Sequence, residues 1–395
     1  MSLTPNAISS ILPSEFKLTS STQIASLWSC YGYIYRLHVS SSSNNPESNC
    51  PNTLILKSIH PPLPTQDDFT SISESESNIR KLLSYAVERW FYAHLSQHLP
   101  QTTKIAQNYH LRADSEHTLL LEDLSVEFPF SARGSLSKEG AECVMRWLGG
   151  FHGCFYRLHR PTSTSKEGES VPVPLVPPPM EWTKMRQLSK RKHVEGVWRS
   201  GTYWYLDTRR EELEETLGNE EEYGWLIPWI EKVDNAIKRE ASTYGTLLHG
   251  DVKGANIVFN RDPYRSNSRS QNTEAETLEL QCLPTHDLVY FLGTSVQSSL
   301  LKTIEVEQAL LKVWLDAFTR TRSIGGERVD REDGECDYDF VTLWRHWELS
   351  ILDWYRFMAG WGFWGNDRWV ERRAREIVGS GRVERLVNFG GTSSS

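Results

Sequence analysis

His249-Gly250-Asp251-Val252-Lys253-Gly254-Ala255-Asn256, followed at once by Ile257-Val258-Phe259, is the stretch on which the reading of this chain turns. An aspartate, a lysine two residues on and an asparagine five residues on have the spacing of a phosphoryl-transfer catalytic loop. In that chemistry the aspartate accepts the proton of the attacking hydroxyl. The asparagine turns its amide oxygen toward a magnesium ion. Lys253 is placed to neutralise the transferred phosphoryl group. The apolar, β-branched run after the loop reads as a short strand, and His249 reads as a packing residue of the loop.

Upstream, Thr53-Leu54-Ile55-Leu56-Lys57 reads as a short buried strand ending in a lysine, where a phosphate-binding cation belongs. Before it, Ser26 to Val39 has apolar and aromatic residues on both sides of Ser29-Cys30-Tyr31-Gly32, a hairpin pattern. That turn is placed to cover phosphates, although it is not a G-x-G-x-x-G loop. Residues 1–20 read as a helical or irregular lead-in. From Ile79 to Gln97, Leu82, Leu83, Ala86, Trp90, Phe91 and Leu95 fall at helical spacing, with Pro100 just beyond. Glu88 lies mid-helix. It is either the partner that holds Lys57 in place or an exposed carboxylate in an i,i+4 network. Thr118 to Leu121 reads as a strand and Glu122-Asp123-Leu124-Ser125 as a linker. The expected division is therefore a nucleotide-binding lobe over 1–122, a catalytic and acceptor-binding lobe over 123–385, and a flexible tail over 386–395.

The second lobe reads as mainly helical. Glu139 to Leu158 is an amphipathic helix with a weak point at Gly149-Gly150. Residues 162–179 form a Ser- and Pro-rich insertion expected to be extended and mobile. Glu211 to Glu222 and Trp225 to Tyr244 are helical, and the loop follows directly. Arg261 to Glu276 reads as a polar excursion. Leu288 to Leu301, Val306 to Phe318 and Phe340 to Gly360 are helical in pattern. Trp344, Trp347, Trp354, Tyr355, Trp361, Phe363 and Trp364 are core residues or the lining of a substrate pocket.

A chain of 395 residues suits two lobes with insertions, and its 15 Trp, 15 Tyr and 14 Phe supply a large core. A net charge of −8 argues against a nucleic-acid partner. The basic run Lys190-Arg191-Lys192 reads as a solvated helix face. Cys30, Cys50, Cys143, Cys154, Cys282 and Cys336 form no C-x-x-C pair and no zinc spacing, which fits a reducing compartment. There is no secretory signal pattern, and no run approaches the roughly 18 apolar residues of a membrane span. The expectation is a cytoplasmic protein with no membrane, no nucleic acid and no obligate protein partner.

The chain resembles the aminoglycoside phosphotransferase and choline kinase superfamily, in its CHK or ecdysteroid-kinase-like branch. "LLHGDVKGANIVF" resembles the H-G-D-x-x-x-x-N loop of those small-molecule kinases. "SYAVERWFYAHLSQHLP" resembles their E-x-x-F-Y helix, with Glu88 at the lysine-pairing position. "LLLEDL" resembles their hinge, where backbone groups of Glu122 to Leu124 meet adenine. "HDLVYFLG" resembles their D-L-A-Y-F-L helix start, and "LDWYRFMAGWGFWGN" a C-terminal helix of related members. Gly201 to Arg209 lies where acceptor-binding elements sit in similar enzymes. The similarity spans about residues 20–375.

The resemblance implies an α+β, two-lobed protein-kinase-like fold, its small lobe an antiparallel sheet plus a helix. It implies an ATP-dependent phosphotransferase acting with Mg2+ on a hydroxyl of a small-molecule acceptor. Asp251 is then the base, with Lys253 beside it. Asn256 is a magnesium ligand, Lys57 the phosphate contact, Glu88 its tether, and Glu122 and Leu124 the adenine-side residues.

One departure stands out. The family carries a second acidic motif after the loop, Asp-Phe-Gln or similar, whose aspartate bridges magnesium to the phosphates. Here that place reads Leu278-Glu279-Leu280-Gln281-Cys282-Leu283-Pro284-Thr285-His286-Asp287. A strand into Cys282 runs straight into the helix start, about a dozen residues short of the template. Asp287 is the obvious substitute for the metal aspartate, and Glu279 a poorer one. However, Asp287 also matches the family's helix-start aspartate, which caps backbone N–H groups. The alternative reading is thus an inactive pseudokinase-like or internally deleted form that retains at most nucleotide binding. A protein kinase is a further rival, for which no A-P-E motif is present.

Overall fold

The computed structural model describes residues 3–27, 31–42, 50–60, 76–112, 118–158, 173–188, 194–200, 203–264, 279–324 and 338–389. Ser29, Cys30, Gly201, Thr202, the Lys190-Arg191-Lys192 run, Cys336, and most of the 162–179 insertion and of the 261–276 excursion lie outside these residues. The chain is a mixed α+β protein.

The N-terminal region begins with helix α1 (Pro5–Ile11) and continues through β1 (Phe16–Ser26), β2 (Gly32–Ser41), β3 (Thr53–Ile59), α2 (Glu76–His94), β4 (Asn108–Tyr109) and β5 (Thr118–Glu122). Its five strands form an antiparallel sheet in the order β1-β2-β3-β5-β4. Strand β1 starts inside the expected irregular lead-in. Only its first residues alternate, and from Thr22 to Ser26 it is wholly exposed, so periodicity alone could not reveal it. Strand β3 runs two residues past Lys57, which pairs in register with Ile34 on one side and Leu119 on the other.

The sheet has its own apolar core, in which Ile8, Leu12, Leu37, Leu54, Leu56 and Leu120 are fully or almost fully buried. Helix α2 does not belong to that core. Its Leu83, Val87 and Phe91 face the larger C-terminal core, with the Phe91 ring 6.2 Å from Phe151 and 6.1 Å from Phe155. The helix that carries Glu88 is therefore seated on the larger core, built mostly of C-terminal residues, while Glu88 reaches back to Lys57 of the sheet.

The C-terminal region comprises β6 (Phe130–Ser131), α3 (Lys138–Cys154), β7 (Leu175–Val176), α4 (Pro179–Leu188), β8 (Val197–Trp198), α5 (Arg210–Gly218), α6 (Glu220–Tyr223), α7 (Ile230–Tyr244), β9 (Thr246–Leu248), β10 (Val258–Phe259), β11 (Glu279–Cys282), α8 (Thr285–Ser295), α9 (Ile304–Ile324), α10 (Phe340–Trp361), α11 (Asp367–Gly379) and α12 (Arg382–Asn388). Strands β7, β8, β11 and β9 form a small sheet in that order, and β10 pairs with β6. Gly149-Gly150 is not a break in α3, which runs unbroken to Cys154. A Cβ at Gly149 would lie 2.5 Å from the Trp314 carbonyl oxygen, and one at Gly153 2.6 Å from that of Phe318. These glycines let α3 and α9 pack backbone to backbone. Helix α12 reaches Asn388, within the expected tail, because Leu386 and Val387 are buried and Arg239 donates to the Val387 carbonyl. No helix among the described residues is long and apolar enough to cross a membrane.

Candidate active site

Strand β9 is fully buried and leads from the core into the loop, where Asp251, Lys253 and Asn256 are partly exposed. Gly250 has φ +82°, a conformation that disfavours any residue with a Cβ. Gly250→Ala should therefore cost about 1–2 kcal/mol of stability, read as a lowered melting temperature at an unchanged denaturant slope.

The loop is held from beneath by Asp287, near the start of α8. Its Oδ2 accepts from the His249 N–H at 2.7 Å and its Oδ1 from the Gly250 N–H at 2.9 Å. His152 Nε2 lies 3.0 Å from the same Oδ2, and His152 Nδ1 lies 3.1 Å from the Trp314 indole nitrogen. An indole N–H can only donate, so Nδ1 must accept and the proton sits on Nε2, pointing at Asp287. Burial pushes the Asp287 carboxyl up, but the hydrogen bond from His152, the nearby imidazoles and the His249 N–H outweigh it and hold the group below the ordinary carboxylate range. Of the two readings of Asp287, this geometry fits the structural one. Both oxygens serve the loop backbone, and the residue is 2% exposed.

His249 is fully buried, packs edge to face on Trp147, and accepts from the Asp251 N–H at Nδ1. It shapes the loop. Asp251 is only partly buried, and three donors hold its carboxylate. Lys253 Nζ is 2.9 Å and Asn256 Nδ2 2.8 Å from Oδ2, and the Tyr290 hydroxyl is 2.7 Å from Oδ1. Asn256 Nδ2 also donates to the Asp251 carbonyl at 2.9 Å. With its nitrogen turned to two acceptors, Asn256 has its amide oxygen directed away from Asp251. The Ser295 hydroxyl accepts from the Gly254 N–H at 2.8 Å and steadies the turn that carries Asn256.

In the small sheet, Lys57 Nζ sits 2.7 Å and 3.0 Å from the two carboxylate oxygens of Glu88. Both residues are buried. Glu122 is tied to the protein on its outer side: its carboxylate accepts from the Lys104 ammonium and the Gln107 N–H, and its own N–H donates to the Gln107 carbonyl. The Leu124 carbonyl accepts from the N–H groups of Glu127 and Phe128. Between them, the Asp123 carboxylate pairs with Arg36 at 2.8 Å and accepts from Ser125, so the segment is rigidly pinned to β2.

A model of the ecdysteroid kinase-like family matches residues 30–323. The chain belongs to this family. The matched span contains Lys57, Glu88, the whole loop and Asp287. Among solved structures, the Plasmodium vivax ethanolamine kinase is 10% identical with a TM-score of 0.38, covering 94% of this chain and 84% of that one. The choline kinase of Cryptosporidium parvum Iowa II is 10% identical with a TM-score of 0.42, covering 95% and 93%. A microcompartment-associated aminopropanol kinase is 11% identical with a TM-score of 0.41, covering 96% and 98%. A search of curated proteins finds no match.

Sequence reasoning for this family member overlooked His152, Tyr290 and Ser295. Tyr290 lies inside the quoted HDLVYFLG stretch, so its motif was visible although its partner was not. His152 and Ser295 carry no local signal, because their partners are 135 and 41 residues away in sequence. The C-terminal aromatic set divides. Trp347, Trp354 and Tyr355 are core, whereas Trp361 and Phe363 are 45% and 40% exposed. The Trp361 ring lies tilted against Tyr203 with centroids 5.8 Å apart, and Trp204 packs edge to face on Trp354 at 4.5 Å, which joins the described part of the 201–209 stretch to α10.

The metal question turns on the joint between β11 and α8. Strand β11 ends at Cys282 and α8 begins at Thr285, so only Leu283 and Pro284 separate them. Neither can bind a cation through its side chain, and Asp287 is buried with three donors on its carboxylate. Among the described residues, no group of three or more His, Cys, Asp or Glu side chains is placed to hold a metal ion. Asn256 offers one neutral oxygen. The described residues therefore fit a magnesium site incompletely.

Proposed function

We propose that this chain transfers the γ-phosphoryl group of ATP to a hydroxyl of a small molecule. The observation that supports this best is the Lys57–Glu88 pair. Sequestering an ammonium and a carboxylate from water is costly, and an apolar pair of similar size would serve stability as well or better. A buried lysine held by a glutamate at the mouth of a sheet is, however, what a nucleotide's phosphates require. In this reading Asp251 takes the proton of the incoming hydroxyl, and Lys253 meets the charge on the transferred group. Asn256 would offer its amide oxygen to a phosphate-bound cation, and the 122–124 segment would border the adenine. The described part of the 201–209 stretch is the proposed wall toward the acceptor, and a cytoplasmic setting is part of the same proposal.

Two measurements follow from this reading. ATP should raise the melting temperature of the full chain, since a ligand that binds only the folded state stabilises it by mass action. A shift that needs magnesium supports a complete metal site. A shift by ATP alone points to nucleotide binding without metal chemistry, and no shift with any nucleotide sinks the proposal. The double variant Lys57→Met/Glu88→Met removes both charges together. It should keep wild-type stability to within about 1 kcal/mol while losing roughly ten- to a hundredfold in ATP affinity. Titration of the thermal shift with ATP checks both halves.

A further inference from the structure

We propose that Tyr290 is a positioning residue for Asp251, fixing the carboxylate so that one acceptor direction on Oδ1 is left for the proton of the incoming hydroxyl. This rests on the reading of Asp251 as the base. An ionised carboxylate offers about four acceptor directions, two on each oxygen. Lys253 and Asn256 fill the two on Oδ2, and the Tyr290 hydroxyl fills one of the two on Oδ1. Among the described residues, the one remaining is on Oδ1.

The carboxylate needs such fixing. The torsion that turns an aspartate carboxylate is broad and roughly two-fold, so backbone and rotamer alone do not set its plane. Two donors on Oδ2 restrain that oxygen, and the tyrosine sets the other. Its O···O distance of 2.7 Å is that of a charge-assisted hydrogen bond.

The phenol is itself held rigidly. Its ring packs edge to face on Trp354, with centroids 5.4 Å apart at 83°, and on Trp204 at 6.3 Å and 73°. Tyr290 also follows Asp287 by three residues on α8, a spacing that puts both side chains on one face. One helix thus fixes the loop's backbone through Asp287 and its carboxylate through Tyr290. In the step this serves, the acceptor oxygen bonds to the γ-phosphorus, its proton passes to Asp251 Oδ1, and the bond to the ADP oxygen breaks. Tyr290 keeps its own proton throughout.

The test uses the full chain with Mg2+, ATP and a pool of small hydroxyl-bearing metabolites as acceptors, with ADP formation as the readout. Tyr290→Phe should lower kcat by about tenfold or more and leave KM for ATP unchanged. In a melting-temperature cycle with Asp251→Ala, the two substitutions should be non-additive, because each removes the hydrogen bond between the phenol and the carboxylate. Additive shifts, an unchanged kcat, or a raised KM with kcat kept would each overturn the proposal. So would a Tyr290→Phe protein that does not fold, since the hydroxyl would then support the fold and not the base. Absence of turnover in the unaltered chain sinks the kinase reading, and this proposal with it. Turnover abolished by Asp251→Asn but untouched by Tyr290→Phe sinks this proposal alone.

Discussion

Asp251→Asn should reduce ATP turnover by about 10²–10⁴-fold, the range that a positioned general base contributes, while leaving the protein folded. The amide is isosteric with the carboxylate. Its oxygen can face the Lys253 and Asn256 donors that now meet Oδ2, and its nitrogen can donate to the Tyr290 oxygen, since a phenol both donates and accepts. The hydrogen-bond frame of the loop therefore survives, and stability should move by no more than about 1 kcal/mol. What is lost is the ability to take a proton. ATP affinity should be retained if, as proposed, the phosphates are met by Lys57 on β3. Parallel measurement of turnover and of the ATP thermal shift separates these effects. Turnover that survives the substitution would remove Asp251 from the chemistry.

Asp287→Ala should be the most destabilising single change in the site. Three donors converge on its carboxylate: the His249 N–H, the Gly250 N–H and His152 Nε2. A buried donor left without a partner costs about 1–3 kcal/mol, so the variant should lose at least about 3 kcal/mol. That is a large share of a stability of roughly 5–15 kcal/mol. Turnover should fall with it, because the loop backbone loses its anchor. The pH dependence has a defined sign. The folded Asp287 carboxyl lies below its unfolded value, so its contribution is fully present above about pH 4 and is lost as pH falls through the folded value. The gap in unfolding free energy between wild type and Asp287→Ala should accordingly be widest at neutral pH and narrow in acid. A gap that stays constant from pH 7 to pH 3 would mean that the carboxylate charge is not what holds the loop.

Much of this site was legible in the sequence because its chemistry is local. Asp251, Lys253 and Asn256 fall within six residues, and their spacing alone carries the loop. Lys57 and Glu88 were readable one step less directly, as a strand-end lysine and a mid-helix acid, and the structure joins them across 31 residues. Asp287 had two readings in the sequence, and its partners in space favour the structural one, which the residue type alone could not, because a capping aspartate and a metal-binding one are the same residue type. Tyr290 stood in plain view with no visible purpose, since nothing in a sequence shows where a phenol points. The seating of α2 on the large-lobe core was illegible for a similar reason. Helical periodicity shows that Leu83 and Phe91 are buried, but not against which lobe.

The lobe division at Glu122 therefore remains a proposal about function and not about packing. The shortened joint before α8 was readable as a gap against the family's pattern. The structure adds that β11 and α8 meet across two residues without leaving a broken strand.

We propose that this member of the ecdysteroid kinase-like family moves phosphate from ATP and that Asp251 is its base. This is tested most directly by following γ-labelled ATP with Mg2+ and a pool of small hydroxyl-bearing metabolites, using the unaltered chain beside Asp251→Asn. The expected result is ADP formed together with label on an organic hydroxyl, in the unaltered chain only. Label that stays in ATP with the unaltered chain, or product formed equally by Asp251→Asn, would contradict the claim.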